Sequence, residues 1–191
     1  MPHRTYPFAA RGLYLVAAMV FCALMWSAPG SAQDRDKDAL FAALKSASSE
    51  MEARRIEARI WEGWIGAAPT AETEAMVREA MSKRRVADYD SALNLLNTAI
   101  DQAPAYAEAR NQRAFIYYLQ GRKDKSLEAI EETLRLEPRH FGALSGKARI
   151  LLEQGRVRLG QKVLRAALEI HPYLPERFLL LRPKKPDGID L

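Results

Sequence analysis

Three prolines constrain this chain more than any other feature. Pro104, Pro138 and Pro172 stand 34 residues apart, and the same interval links other positions. Ala80, Ala114 and Ala148 share one register. Ala87, Gly121 and Gly155 share a second, and Ala92, Ser126 and Gly160 a third. Leu96, Ile130 and Leu164 make a fourth, and Ala99, Thr133 and Ala167 a fifth. A fixed period of this length means small supersecondary units, each covering its neighbour's apolar face. The Ala/Gly register is where the chain turns out of one helix and into the next. The small registers let paired helices approach closely, and the Leu/Ile register fills the space between pairs. Each proline closes a unit, because the residue before it is driven out of helical geometry.

These residues resemble the tetratricopeptide repeat, a 34-residue helix–turn–helix unit. The clearest copy reads AEARNQRAFIYYLQGRKDKSLEAIEETLRLEP. The resemblance implies an all-α fold, a right-handed superhelical stack of helix–turn–helix repeats with flanking capping helices. Three repeats are assigned, to residues 73–106, 107–140 and 141–174. Three residues depart from the pattern. Lys83 replaces a first-helix aromatic that Tyr117 supplies in the second copy, Arg110 stands where a large apolar residue is common, and Lys123 takes the place of Tyr89.

Residues 33–72 read as an N-terminal helical pair, a degenerate repeat that caps the stack. Ser49 followed by Glu52 is a capping box and starts its second helix. Ile56, Ile60, Trp61 and Trp64 follow at helical spacing, with the tryptophans expected against the first repeat. Residues 175–191 read as a last capping helix, with Pro175 in its first turn, and a polar tail.

Residues 1–32 read as an address. Arg4 and Arg11 come first, an apolar run from Leu13 to Ala28 follows, and Gly30 and Ala32 supply small side chains. That order is a secretory signal peptide, with cleavage expected between Ala32 and Gln33. The 16-residue run is shorter than the ~20 residues of a membrane span. An uncleaved anchor is the alternative. Cys22 is the only cysteine and would leave with the peptide. The mature chain would then carry no thiol into an oxidising compartment. For a Gram-negative source the address is the periplasm.

Charge excludes one function class. The formal net charge is +5, but the first 32 residues hold two arginines and no acid, leaving 27 basic against 24 acidic residues, mixed along the chain. Such mixing marks solvated helix faces rather than a nucleic-acid footprint. Catalysis has little support either. Two histidines and no cysteine remain after residue 32, and no HExxH, phosphate-binding loop or nucleophile elbow occurs. His140 and His171 fall near repeat junctions and read as structural, His140 as a loop or first-turn residue. No catalytic residue, cofactor or metal site is expected.

The resemblance also implies a concave groove lined by the first helix of each repeat. The residues implied are Val77, Arg78, Met81, Arg84 and Arg85 in the first repeat; Asn111, Gln112, Phe115, Tyr118 and Leu119 in the second; and Ser145, Arg149 and Leu152 in the third. Glu74, Glu108, Gly142, Gly146 and Glu153 fall on the same face. Chaperone-binding members of the family hold a C-terminal carboxylate with a Lys/Asn/Arg clamp. Val77, Met81, Gly142 and Gly146 stand at clamp positions here, which argues against that ligand. The implied partner is a protein or peptide with apolar anchors and an acidic flank, held by an exported, non-enzymatic adaptor or assembly factor of the cell envelope. A self-associating structural protein and a membrane-anchored subunit are the alternatives. Gly142, Ser145 and Gly146 leave a smooth patch, open either to a ligand or to another helix of the chain itself.

Overall fold

In the computed structural model, residues 32–181 are described, and every regular element among them is helical. By compactness the chain divides after Asp36, and of the first part only Ala32–Asp36 is described. The helices are α1 (Ala32–Lys45), α2 (Glu50–Ile65), α3 (Ala71–Arg85), α4 (Tyr89–Gln102), α5 (Ala107–Leu119), α6 (Lys123–Leu136), α7 (Phe141–Glu153) and α8 (Val157–Ile170). A short 3-10 helix spans Pro175–Leu179. Helices α3–α4, α5–α6 and α7–α8 are the antiparallel pairs of the three repeats.

Local chemistry sets the helix ends. Ser49 Oγ accepts the Glu52 N–H at 3.2 Å and starts α2. The Glu52 carboxylate reaches back one residue further than the capping box requires, to the Ser48 N–H at 2.8 Å. Thr70 and Thr73 exchange backbone and side-chain bonds to start α3. In each repeat the turn between helices has the same form. The N–H groups of Asp88, Arg122 and Arg156 reach back to the carbonyls of Lys83, Tyr117 and Leu151, at 3.0, 2.8 and 2.9 Å. The residue before each adopts a left-handed backbone: Gly121 and Gly155 at φ 73°, and Ala87 at φ 59°.

That conformation costs an L-residue roughly 1–2 kcal/mol. Glycine avoids the cost but has more unfolded-state freedom to lose. Ala87→Gly is therefore expected to stabilise the protein by about 0.5–1 kcal/mol, read as a higher urea midpoint. A lower midpoint would show that Ala87 carries no strain.

Close packing accounts for the small registers. Ser126 Oγ donates to the Ala114 carbonyl at 2.8 Å across the second pair. A Cβ on Gly160 would stand 2.8 Å from Leu152 Cγ and 3.2 Å from the Ala148 carbonyl across the third. Leu96, Ile130 and Leu164 are buried, as are Ala99, Thr133 and Ala167. Arg110 fits its apolar position by donating to the Pro104 carbonyl at 2.7 Å and to Glu132 at 2.6 Å.

Two flanking elements differ from expectation. Of the expected C-terminal capping helix, the described part forms a short 3-10 helix, Pro175–Leu179, and the polar tail lies outside the described residues. The Gln161 side chain holds its end, donating to the Leu179 carbonyl and accepting from the Leu181 N–H, both at 2.8 Å. Those bonds take up backbone groups that a longer helix would need.

The α1–α2 hairpin also reaches beyond the first repeat. It runs along the three repeat junctions. Tyr106, His140 and Leu174, spaced 34 apart, are all buried, at 3%, 0% and 4% exposure. The Tyr106 hydroxyl donates to the Ile65 carbonyl at 2.6 Å. His140 stacks on Trp64, with ring centroids 3.9 Å apart and planes 10° from parallel. Leu174 joins Phe41, Leu44, Ala53, Ile60, Trp64, Phe141 and Ala167 in one apolar cluster. The tryptophans therefore pack at the junction of the second and third repeats, against His140 and Phe141.

Candidate functional site

The junction packing generates a buried polar chain. His140 begins α7, and its Nδ1 accepts the Ala143 N–H at 3.2 Å. Nε2 must then carry the ring proton, and it donates to Glu108 Oε2 at 3.0 Å. Glu108 is 1% exposed and also accepts from Gln112 Nε2 at 2.5 Å and Asn111 Nδ2 at 3.4 Å. The Gln112 amide oxygen accepts in turn from Arg84. Four side chains thus connect the hairpin's Trp64 to the concave face. His140 fills the first-turn role expected of it, and its burial and its carboxylate partner are findings of the fold.

His171 sits at the register of Ala103 and Glu137, one turn before that of His140. Its Nε2 lies 3.3 Å from the Glu57 carboxylate, outside hydrogen-bond geometry. The nearby His171 ring nitrogen, aided by the Trp61 indole N–H and opposed by burial, holds the Glu57 carboxyl below its ordinary value.

Further ion pairs tie the hairpin down. Lys37 meets Glu137, Asp38 meets Arg139 at 2.7 Å, and Glu50 meets Arg177 at 3.0 Å. Burial pushes the Glu137 carboxyl up, but Lys37 and the Arg139 N–H outweigh it and the net displacement is downward. A carboxyl lowered on folding stabilises above its unfolded pKa, about 4.3, and that contribution is lost as pH falls through the folded value. Acidification below about pH 4 is therefore expected to loosen the hairpin, and Glu137→Gln to flatten the acid limb of stability. An unchanged acid limb in that variant would remove Glu137 from the account.

On the other side of the polar chain lies a pocket of about 350 Å³ between α3, α5 and α7. Eight of the residues implied for the groove line it: Met81, Arg84, Asn111, Gln112, Phe115, Tyr118, Ser145 and Arg149. Its floor is apolar, from Ala114, Ile130, Ala143 and Ile150. Ala114 and Ile130 were read from sequence only as packing between helices, and Ala143 and Ile150 were not singled out. Trp61 and Glu176 close two of its sides, and both come from flanking elements that a repeat register cannot place.

The remaining groove residues lie elsewhere. Val77 is fully buried among α3, α4 and α5 and has no surface to offer, because α5 packs directly over it. Arg78 is held by Glu74 at 2.8 Å and by Glu62 of α2 at 2.9 Å, which raise its already high pKa. Arg85 and Leu119 are exposed outside the pocket, and Leu152 fills the notch at Gly160. Gly142 is also accounted for. A Cβ there would stand 2.8 Å from the Trp61 ring, so the smooth patch is covered at that point by the chain's own α2. Gly146 still lines the pocket.

Two arginines give the pocket its electrostatics. Arg149 pairs with Glu176 at 2.8 Å, and that bond raises its pKa. Arg84 is half-buried, with its guanidinium 4.7 Å above the Phe115 ring. Burial lowers its pKa, against the attraction of Glu108. No carboxylate of the described residues lies within 4.0 Å of it. At the rim the Tyr118 hydroxyl donates to Glu153 at 2.7 Å, and that bond pushes its pKa up. The arrangement offers an apolar hollow beside a desolvated cation. Among the described residues no three His, Cys, Asp or Glu side chains converge as a metal site would require.

Repeated helix pairs around a shared concave face define a helical-repeat solenoid. The tetratricopeptide repeat model matches residues 77–132 and 116–175, and the chain belongs to that family. A TPR repeat-containing protein of Rhizobium etli is 45% identical over 82 residues, which are 43% of this chain and 40% of that protein. The match thus spans less than half of that relative. The crystal structure of MamA is similar in fold, with a TM-score of 0.50 at 21% identity, covering 72% of this chain and 87% of that one. The Sgt2 TPR domain from Aspergillus fumigatus aligns with a TM-score of 0.48 at 20% identity, covering 65% of this chain and 93% of that domain.

Proposed function

We propose that this protein is an exported, non-enzymatic scaffold that holds a segment of another protein by an apolar side chain seated in the α3–α5–α7 pocket. The family consists typically of protein-interaction modules, which supports the class of function. The pocket supports the mode. Its volume of about 350 Å³ falls in the range of natural ligand clefts. Seating one large apolar side chain there contributes about 1.5–3 kcal/mol. The observation that carries the reading is Arg84, a half-buried cation beside that hollow whose nearest hydrogen-bonding partner is a neutral amide. An acidic residue flanking the partner's apolar anchor would satisfy it. Export rests on the basic, apolar and small-residue order of residues 1–32, which lie almost wholly outside the described residues. For a Gram-negative source that order supports a periplasmic address, and the family's interaction role supports an adaptor or assembly factor there.

The test is cross-linking in the native envelope, with intact-mass determination of the recovered chain. A partner lost from both Phe115→Ala and Arg84→Gln, on a chain beginning at Gln33, is the expected result. A partner retained by both variants would move binding off this pocket. A chain retaining residue 1 would replace the soluble scaffold with an anchored one.

A further inference from the structure

The last helix carries charge in an arrangement that local stability does not favour. Arg156 caps α8 and Arg158 lies in its first turn, where the helix dipole is positive and cations are unfavourable. That turn holds no acid, whereas α2 through α6 each carry at least one there. Lys162 and Arg165 continue the exposed face, and Glu169 is the only acid in the helix. None of these four cations pairs with a described carboxylate. Most cations of α3, α5 and α7, by contrast, are engaged.

An apolar surface adjoins this cationic one. Gln161 holds the C-terminal segment against α8 through Leu179 and Leu181. That segment exposes Phe178 at 81% and Leu181 at 59%. The Arg177 guanidinium lies over the Phe178 ring at 4.4 Å. On α8 itself Val157 and Leu159 are exposed at 43% and 40%. In sequence, Arg182, Lys184 and Lys185 follow directly.

We propose that this end of the solenoid, α8 with the Pro175–Leu181 segment, is a docking surface for an anionic phospholipid bilayer. Cations flanking protruding Phe and Leu side chains are the chemistry of interfacial membrane binding: the rings and aliphatic chains enter the acyl boundary while Lys and Arg meet the phosphates. Shape decides between lipid and protein. Phe178 protrudes and sits in no hollow, so a protein would need a matching cavity while a bilayer needs none. A second copy is disfavoured because a symmetric contact would oppose like charges. Glu176 of the same segment faces the α3–α5–α7 pocket, whereas Phe178, Leu181 and the α8 cations do not line it, so the protein can dock on lipid and hold its partner together.

The test is partition of the full chain onto vesicles of phosphatidylcholine, with and without phosphatidylglycerol. The apolar segment at residues 13–28 is common to every variant, so differences report on the C-terminal surface. Each cation near an anionic surface is worth about 1 kcal/mol, or roughly fivefold. Arg158→Glu/Lys162→Glu is expected to reduce the preference for phosphatidylglycerol at least about tenfold, and added salt to reduce it in the parent. Phe178→Ser/Leu181→Ser is expected to weaken binding to the mixed vesicles with circular dichroism unchanged. A lipid-charge preference untouched by the charge reversal would overturn the proposal. So would loss, in that variant, of a cross-linked acidic protein while vesicle partition holds.

Discussion

His140→Ala is expected to cost about 3–5 kcal/mol, the effect of leaving one member of a buried hydrogen-bonded pair without the other. The ring is fully buried and supplies three things at once. It accepts the Ala143 N–H at the start of α7, donates to Glu108 and stacks on Trp64. The cap and the stack are each worth about 1 kcal/mol. The rest comes from Glu108, a carboxylate at 1% exposure that would keep only the two amide donors. Urea denaturation measures the cost, and a loss under about 1 kcal/mol would mean that the polar chain is not a stabilising element. Removing the stranded carboxylate as well, in His140→Ala/Glu108→Met, is expected to recover part of the loss, because an apolar replacement leaves no charge to solvate.

Trp64→Ala is expected to cost a similar about 3–5 kcal/mol, through a cavity in the hairpin cluster. Trp64 touches Phe41, Trp61, His140 and Phe141, with ring centroids 3.9–6.1 Å away. Its indole N–H has no acceptor, so truncation forfeits packing and no hydrogen bond. The loss should fall on the hairpin before the repeats. Limited proteolysis at residues 66–70, between α2 and α3, is therefore expected to accelerate while the helical circular dichroism of the repeats is largely kept. Cleavage at the parent rate would show that the hairpin is held by its ion pairs instead. Those pairs are mostly part-exposed and individually weak, which favours the aromatic cluster.

Most of the repeat architecture is legible in the sequence, because a solenoid's contacts are between neighbours. Ser126 meets Ala114 twelve residues away, and Gly160 meets Ala148 at the same distance. A 34-residue register records such contacts directly, copy by copy. The pocket was half legible for the same reason: Met81, Phe115, Tyr118 and Arg149 follow from their place on the first helices. Val77 did not, since one turn of position decides whether a residue on α3 faces the groove or lies under α5.

The sequence by itself determined the helix pairs, their turns and the concave face, since each rests on local propensity or a periodic contact. Only the tertiary structure decided where α1 and α2 lie. Trp64 and His140 are 76 residues apart and share no register, so no pattern announces their stack. Nor does any pattern tell that Gly142 makes room for Trp61 and not for a ligand. Those choices were made by aromatic surface seeking burial at the repeat junctions, where Tyr106, His140, Phe141 and Leu174 present a strip that the repeats leave bare.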